Sequence, residues 1–476
     1  MRPSIGSYIG SYIGSSAPFR RRSSALWLLA CLGVGGGESE VWAQGSGNLR
    51  LSQSANSLAR DREAWLEAEF GVDREWRWGR HSTWTGSAKL YAVGLLAGQS
   101  STSSQSLSRA SPRVFVDADR SGASEIVDDQ ELLLTYRSGA WTWRLGSRVW
   151  RWGVMDTFDP LDQAHARRYE WPLESRKLGE RSLSLEWAAL RGSFEAYWIP
   201  LKKLSSLPST DSAWLPRQFF VPRFPGADLE LPNQLRYTYR EREVRDQAQL
   251  HAAGVRAVWR GESLELALQA EQGTPAFPAL RPRVTGPVVA VDPRPRIRVD
   301  PDVQLTEIIT RETRWGSSLS WAFGDSLLRL QVARTEPLGD GRSFFSTRTD
   351  VGLQLERIGS SFSWVGQVFW NASALELAGN DLASASQLFD RALSVLMRWS
   401  PRDRLSLQGG GLLSSPPSAS GSASRVSSLA LLDLRYEISD RATWSLLMSG
   451  LEAGEQAPLG AFAVNDSVQV QYSYQY

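Results

Sequence analysis

The chain has 476 residues, and 42% of them are hydrophobic. The mean hydropathy is −0.30. The longest apolar run, residues 25–34, is much shorter than the roughly 20 residues of a transmembrane helix, which excludes a polytopic helical membrane protein. The net charge is only +2 and gives no indication of a nucleic-acid partner.

The N-terminal region has the order of a secretory signal. Three arginines at 20–22 precede the apolar run 25–34, and Ala43 provides a small residue at a cleavage position. We therefore assign residues 1–43 to a cleavable signal peptide with a low-complexity N-terminal extension. An alternative is a lipid anchor at Cys31, because residues 28–31 resemble a lipobox. Cys31 is the only cysteine, so the exported chain would contain no disulfide.

The rest of the chain alternates apolar and polar residues, with the period of two that is typical of half-buried β-strands. We expect the first strand at 64–70, where Leu66, Ala68 and Phe70 alternate with Glu67 and Glu69. Further strands are expected at 84–92, 132–136, 141–149, 183–189, 194–198, 253–259, 264–270, 315–323, 328–333, 351–355, 362–370, 393–399, 405–413, 430–438, 444–450 and 467–476.

Short and long connections alternate between these segments. Two or three turn-forming residues join some pairs, as at 191–192 and 324–325, whereas long stretches such as 201–246 and 273–302 join others. Outer-membrane β-barrels show this alternation, with short turns in the periplasm and long loops outside, and a soluble sandwich does not. The 21 tryptophans fit the aromatic girdles of such barrels.

We therefore predict an all-β fold, a transmembrane antiparallel β-barrel of about 14–18 strands with long external loops. Residues 44–62 are assigned to a periplasmic N-terminal segment and residues 63–476 to the barrel. The expected location is the bacterial outer membrane. Outer-membrane lipid and lipopolysaccharide are then partners, and the sequence leaves a homo-oligomer open.

The last strand supports this fold. Tyr472, Tyr474 and Tyr476 alternate with serine and glutamine, and the sequence ends on an aromatic residue. This pattern is similar to the C-terminal signal that the barrel-assembly machinery recognises, so we expect that machinery to be a partner. The alternative is an ordinary terminal strand of a soluble, secreted β-protein.

Residues 144–162 carry a resemblance to a known family. They contain an R-x-G-x-x-x-x-x-W-G-x-x-D-x-F-x-P-x-D pattern, which resembles that of large, mostly uncharacterised porin-like outer-membrane proteins. The resemblance extends over about residues 132–216. It implies an outer-membrane channel for passive or facilitated passage of a solute or polymer. A non-conducting barrel that holds a partner remains an alternative.

Five charged residues of this pattern are candidates for a constriction. Alternation along the strand places Arg144 and Arg148 on the inner face, and the turn after Phe158 directs the chain into a loop. We expect this loop to fold inward and the two arginines to meet Asp156, Asp159 or Asp162. These ion pairs would either contact the cargo or only fix the loop in place.

The sequence contains no enzyme motif that selects a nucleophile and its base, so we expect no catalytic residues. One stretch has the spacing of a calcium loop, with oxygen ligands at Asp117, Asp119, Ser121 and Asp128. Its twelfth residue is aspartate rather than the usual bidentate glutamate. No other cofactor is expected. The Pro- and Arg-rich loop 275–301 is either a basic surface for acidic glycans or lipopolysaccharide phosphate, or a solvated loop stiffened by proline.

Overall fold

The computed structural model describes most of the predicted barrel. Described residues are 42–56, 62–78, 82–98, 125–171, 174–205, 228–230, 236–240, 250–276, 279–283, 285–291, 295–300, 302–343, 347–372, 391–415, 427–452 and 467–475. The strands are β1 Trp42–Asn56, β2 Arg62–Trp78, β3 Ser82–Gly98, β4 Glu125–Ser138, β5 Trp141–Arg148, β6 Arg167–Trp171, β7 Glu174–Lys177, β8 Glu180–Ala189, β9 Gly192–Ile199, β10 Asp228–Glu230, β11 Arg236–Arg240, β12 Ala252–Arg260, β13 Leu264–Gly273, β14 Ala279–Arg283, β15 Val288–Ala290, β16 Arg296–Arg298, β17 Asp302–Ile308, β18 Arg311–Phe323, β19 Ser326–Leu338, β20 Arg348–Arg357, β21 Phe362–Asn371, β22 Arg391–Arg402, β23 Leu405–Ser415, β24 Ser427–Ser439, β25 Ala442–Glu452 and β26 Ser467–Gln475.

Eighteen of these strands form one closed antiparallel sheet. Its order around the ring is β1, β2, β3, β4, β5, β8, β9, β12, β13 and then β18 to β26. The ring closes because β26 also pairs with β1, with Tyr472 opposite Leu51. Closure leaves no free sheet edge, as a strand structure in lipid requires. The predicted fold class and strand number are confirmed.

The two faces of the sheet have opposite polarity. On β20, the outward Leu353 is 38% exposed, whereas its inward neighbour Gln354 is fully buried. A soluble protein would have the reverse arrangement, so this sheet is built to face hydrocarbon. Exposed aromatic side chains gather near the short turns, as expected for a girdle at the membrane interface. They include Trp141, Trp187, Trp259, Trp321, Phe323, Phe362, Trp399, Tyr436 and Trp444.

The connections alternate as predicted. Short turns such as 139–140, 190–191, 324–325, 403–404 and 440–441 lie at one end of the barrel. The connections at the other end include 99–124, 149–179, 200–251 and 274–310. Among the described residues, no helix has the length and apolarity that a helical membrane span needs.

One predicted boundary is wrong. Residues 44–62 were assigned to a separate periplasmic segment, but β1 occupies 42–56 and is a full member of the barrel. Its sequence carries Gly45, Gly47 and Asn48, which usually mark turns, and pairing with both β2 and β26 overrides this local preference. The signal-peptide prediction falls on residues 1–41, which lie outside the described residues, and on the first two residues of β1.

Two of the long connections pair with each other. β10 pairs in parallel with β16, and β11 pairs in parallel with β17. β15 and β14 complete two three-stranded sheets. The Pro- and Arg-rich loop 275–301 is therefore partly ordered as strands, in which Arg296 and Arg298 are exposed.

Candidate functional site

The segment 149–179, between β5 and β8, folds into the barrel. It leaves the wall at β5, yet residues 155–159 contact β19, β20 and β21, nearly halfway round the ring. The residues that it contacts there face inward. A segment that contacts inward side chains on the far wall must lie inside the barrel. The loop therefore folds inward, as the sequence predicts.

Two buried glutamine side chains hold the far end of the segment. The Gln354 carbonyl accepts the Asp156 N–H at 3.0 Å, and its amide donates to the Asp156 carboxylate. The Gln367 carbonyl accepts the N–H groups of Thr157 and Phe158, both at 3.1 Å. Its amide donates to the Phe158 carbonyl. Uncharged amides therefore provide the hydrogen-bond partners of the loop backbone at this point.

Asp159 organises the turn that follows. It caps the short 3-10 helix Pro160–Ala164, and its carboxylate accepts the N–H groups of Leu161 and Asp162 at 3.0 and 3.2 Å. The other carboxylate oxygen accepts the Met155 N–H at 3.0 Å. Burial and, to a smaller extent, the neighbouring Asp162 raise the pKa of Asp159 to about 6, although the hydrogen-bond donors oppose the rise.

The wall beneath the segment is lined with glycine where the loop comes closest. A Cβ atom on Gly352 would lie 2.6 Å from the Met155 sulfur, and one on Gly316 would lie 2.2 Å from the Leu161 side chain. Real Cβ atoms do not make such contacts without displacing a neighbour. Leu161 itself is buried, so the absence of a side chain at Gly316 and Gly352 leaves room for the loop to pack against the wall.

The near end of the segment rests on an aromatic cluster. Trp150 and Trp152 are buried and pack on Tyr197, with ring centroids 4.5 and 5.1 Å away. The buried His165 packs edge-on against Trp152, and its Nδ1 lies 2.9 Å from Glu180. This cluster joins the segment to the wall formed by β8 and β9.

A buried polar group lies next to this cluster. The Tyr197 hydroxyl donates to Glu271 at 2.7 Å, and the Lys202 ammonium donates to the other Glu271 oxygen, also at 2.7 Å. All three side chains are buried. Lys202 lies just after β9 and Glu271 lies on β13, so the group ties the start of a long connection to the inner wall.

The predicted partners of Arg144 and Arg148 are wrong. Arg144 pairs with Glu186 at 2.6 Å, and Arg148 pairs with Glu195 at 2.5 Å. Glu186 lies on β8, diagonally across from Arg144, and Glu195 lies on β9, one strand further along the same wall. The Arg148 guanidinium also lies 3.4 Å from the centroid of the Trp150 ring.

The predicted aspartates have other partners. Asp156 lies 3.3 Å from Arg329 on β19. Asp162 is buried and pairs with Arg167 and with Lys177, both within the same connection. Asp162 therefore has its counter-charges within the segment, whereas Asp156 has its counter-charge on the wall.

Sequence reasoning missed the two glutamines and the two glutamates. Their strands had been identified, and the inward phase of Gln354 and Gln367 follows from the alternation of β20 and β21. Their hydrogen bonds to a segment some two hundred residues earlier in the chain could not be predicted, because nothing in the local sequence indicates that contact.

The other predicted site residues are only partly described. Tyr472 and Tyr474 lie in β26, and Tyr472 packs against Trp444 with ring centroids 5.6 Å apart. Tyr476 lies outside the described residues, as do Asp117, Asp119 and Ser121, whereas Asp128 falls within β4. The calcium loop thus remains a prediction.

No family model matches the chain, and no curated protein matches it. Several solved structures do resemble it. OccK2 (OpdF) of Pseudomonas aeruginosa, in complex with glucuronate, has a TM-score of 0.52 and 10% identity over 91% of this chain and 97% of that one. OpdK of the same organism, with vanillate, gives 0.52 and 11% over 91% and 98%. OccAB2 of Acinetobacter baumannii gives 0.53 and 9% over 91% and 98%. The chain therefore has the fold of these outer-membrane barrels.

Proposed function

We propose that this chain is an outer-membrane channel through which small polar solutes diffuse. The observation that carries the proposal is the inward segment 149–179, which narrows a polar lumen without being an integral part of the wall. In a lumen of this kind, the segment limits the size of the solutes that can pass, and the charged residues of the wall select among them by charge. Neighbours with this fold were solved with glucuronate and with vanillate, which are both small organic acids.

The charges of the inner wall are balanced in one part of the barrel. Arg256 on β12 lies opposite Glu195 in the strand register, and Arg148 lies opposite Glu180. Arg144 and Arg148 share Glu186 and Glu195. Three arginines thus face three glutamates in this part of the wall. Removal of a single charge from a confined lumen is enough to bias ion passage.

The R-x-G…W-G-x-x-D-x-F-x-P-x-D pattern gains a physical meaning in this proposal. Trp152 anchors the near end of the segment, and Asp156 and Phe158 lie where the far end docks on Gln354 and Gln367. We infer that the pattern encodes an inward-folded segment. We also propose that the alternating Tyr472 and Tyr474 of β26 serve as the assembly signal.

Planar-bilayer conductance of the refolded barrel tests the channel. Folding is checked first by comparing the gel mobility of unheated and boiled samples. A mobility that changes on boiling would also argue against a soluble β-protein. We expect steady ohmic steps and a reversal potential close to that of an unselective channel. Arg256→Gln should move that potential toward cations, and Glu195→Gln should move it toward anions. Silence from folded protein would overturn the channel in favour of a non-conducting barrel.

A further inference from the structure

Two outward-facing arginines lie at the long-loop end of the barrel. On β19, Leu328, Leu330, Val332 and Arg334 follow one another along the outward face, so an apolar stripe ends in an arginine. On β22, the outward stripe is Trp399, Met397, Val395 and Leu393, and it ends at Arg391. An apolar stripe marks the hydrocarbon layer, so both arginines lie at its external boundary.

Each arginine has a tryptophan as its direct cross-strand partner. Arg334 lies opposite Trp315 of β18, and Arg391 lies opposite Trp370 of β21. Tryptophan prefers the level of the lipid headgroups. The same Arg–Trp unit therefore occurs twice, three strands apart, which is a lateral distance of about 14 Å at the spacing of neighbouring strands.

The charge of this surface suits an anionic headgroup. The Arg334 side chain is 57% exposed, and its Nε donates to Glu336 at 2.7 Å, which leaves the rest of the guanidinium fork available to a second acceptor. Arg391 is also exposed. Guanidinium groups bind phosphate with two parallel hydrogen bonds, and the exposed position leaves room for a headgroup.

We infer that these two Arg–Trp units bind the phosphates of lipopolysaccharide in the outer leaflet. The tryptophans pack against the acyl chains and sugar ring at the interface, and the arginines reach the phosphates above them. The site lies on the outside of the barrel, so it is independent of conduction through the lumen. Failure of this inference would leave the channel proposal unaffected.

Binding of fluorescent lipopolysaccharide to the folded full-length barrel in detergent tests the inference. The variants are Arg334→Ser, Arg391→Ser and their combination. The matched control is Arg435→Ser. Arg435 is 58% exposed and pairs with Asp433 two residues away, as Arg334 does with Glu336, but it lies on the opposite face near a short turn. Gel mobility on boiling confirms that each variant is folded.

We expect each outward substitution to weaken binding about fivefold, since a basic group at an anionic membrane surface contributes about that much. The double variant should lose about 25-fold, and the control should bind as wild type does. Enzymatic removal of the phosphates should reduce wild-type binding to the level of the double variant. Equal binding by the double variant and the control, or undiminished binding of the dephosphorylated lipid, would overturn the inference.

Discussion

Replacing Gln367 by leucine should detach the far end of segment 149–179 while leaving the barrel intact. Leucine has a similar volume but cannot accept the N–H groups of Thr157 and Phe158. Thr157 is exposed and Phe158 is half-buried, so each lost hydrogen bond costs about 0.5–1.5 kcal/mol and the docked state should lose about 1–3 kcal/mol. Because 1.4 kcal/mol corresponds to a factor of ten, the ratio of docked to released segment should fall at least roughly fivefold.

Single-channel recording in planar bilayers would show this change as a larger and noisier open-channel current. Gln471→Leu is the matched control, since Gln471 is also an inward glutamine of the wall, but its described bond is with Ser445 on the neighbouring strand. If the size and the noise of the open-channel current in Gln367→Leu both match those of the control, the docking argument is refuted.

Two further changes probe the same segment. Gly352→Leu would place a side chain where the Met155 sulfur lies, so it should raise current noise as Gln367→Leu does. Gly409→Leu, on the outward face, is the control and should not raise it. Equal noise in the two variants would contradict a role of Gly352 in making room for the segment. Asp159 has a pKa of about 6 in the docked segment and an ordinary value near 3.8 when released. Docking should therefore be strongest below about pH 4 and weaken as the pH rises through 6. Current noise should be lower at pH 5 than at pH 7.5, and Asp159→Asn should abolish the difference; an unchanged pH dependence in that variant would assign it to another group.

The barrel could be predicted because each strand has one face toward lipid and the other toward the polar lumen. Lipid outside requires apolar residues at every second position, and the lumen accepts polar ones, so the alternation is visible in the sequence. The expected strand at 194–198 lies within β9, and that at 183–189 lies within β8. β1 was missed because glycine, serine and asparagine interrupt the alternation in its sequence, and its place depends on pairing with β26 at the far end of the chain.

The site was harder to predict because its contacts depend on register and on ring position. The alternation of β5 placed Arg144 and Arg148 on the inner face, but their glutamates lie on β8 and β9. Choosing Glu186 over Asp156 as a partner requires the pairing of β5 with β8, which only the folded sheet specifies. Opposite charges near each other in sequence suggested the wrong pairs.

The anchoring of the segment by amides rather than by the two arginines has a consequence for the lumen. Had Arg144 and Arg148 bound the aspartates of the segment, their charge would be neutralised by the same groups that form the constriction, and docking would weaken with salt. In the structure, Gln354 and Gln367 hold the backbone without charge. Arg144 and Arg148 are balanced by Glu186 and Glu195 of the wall, whereas Arg329 is the wall arginine that contacts Asp156 of the segment. In the proposed channel, aperture therefore depends mainly on the two glutamines and charge selectivity mainly on Arg144, Arg148 and their glutamates, so a substitution in one group can leave the other property intact.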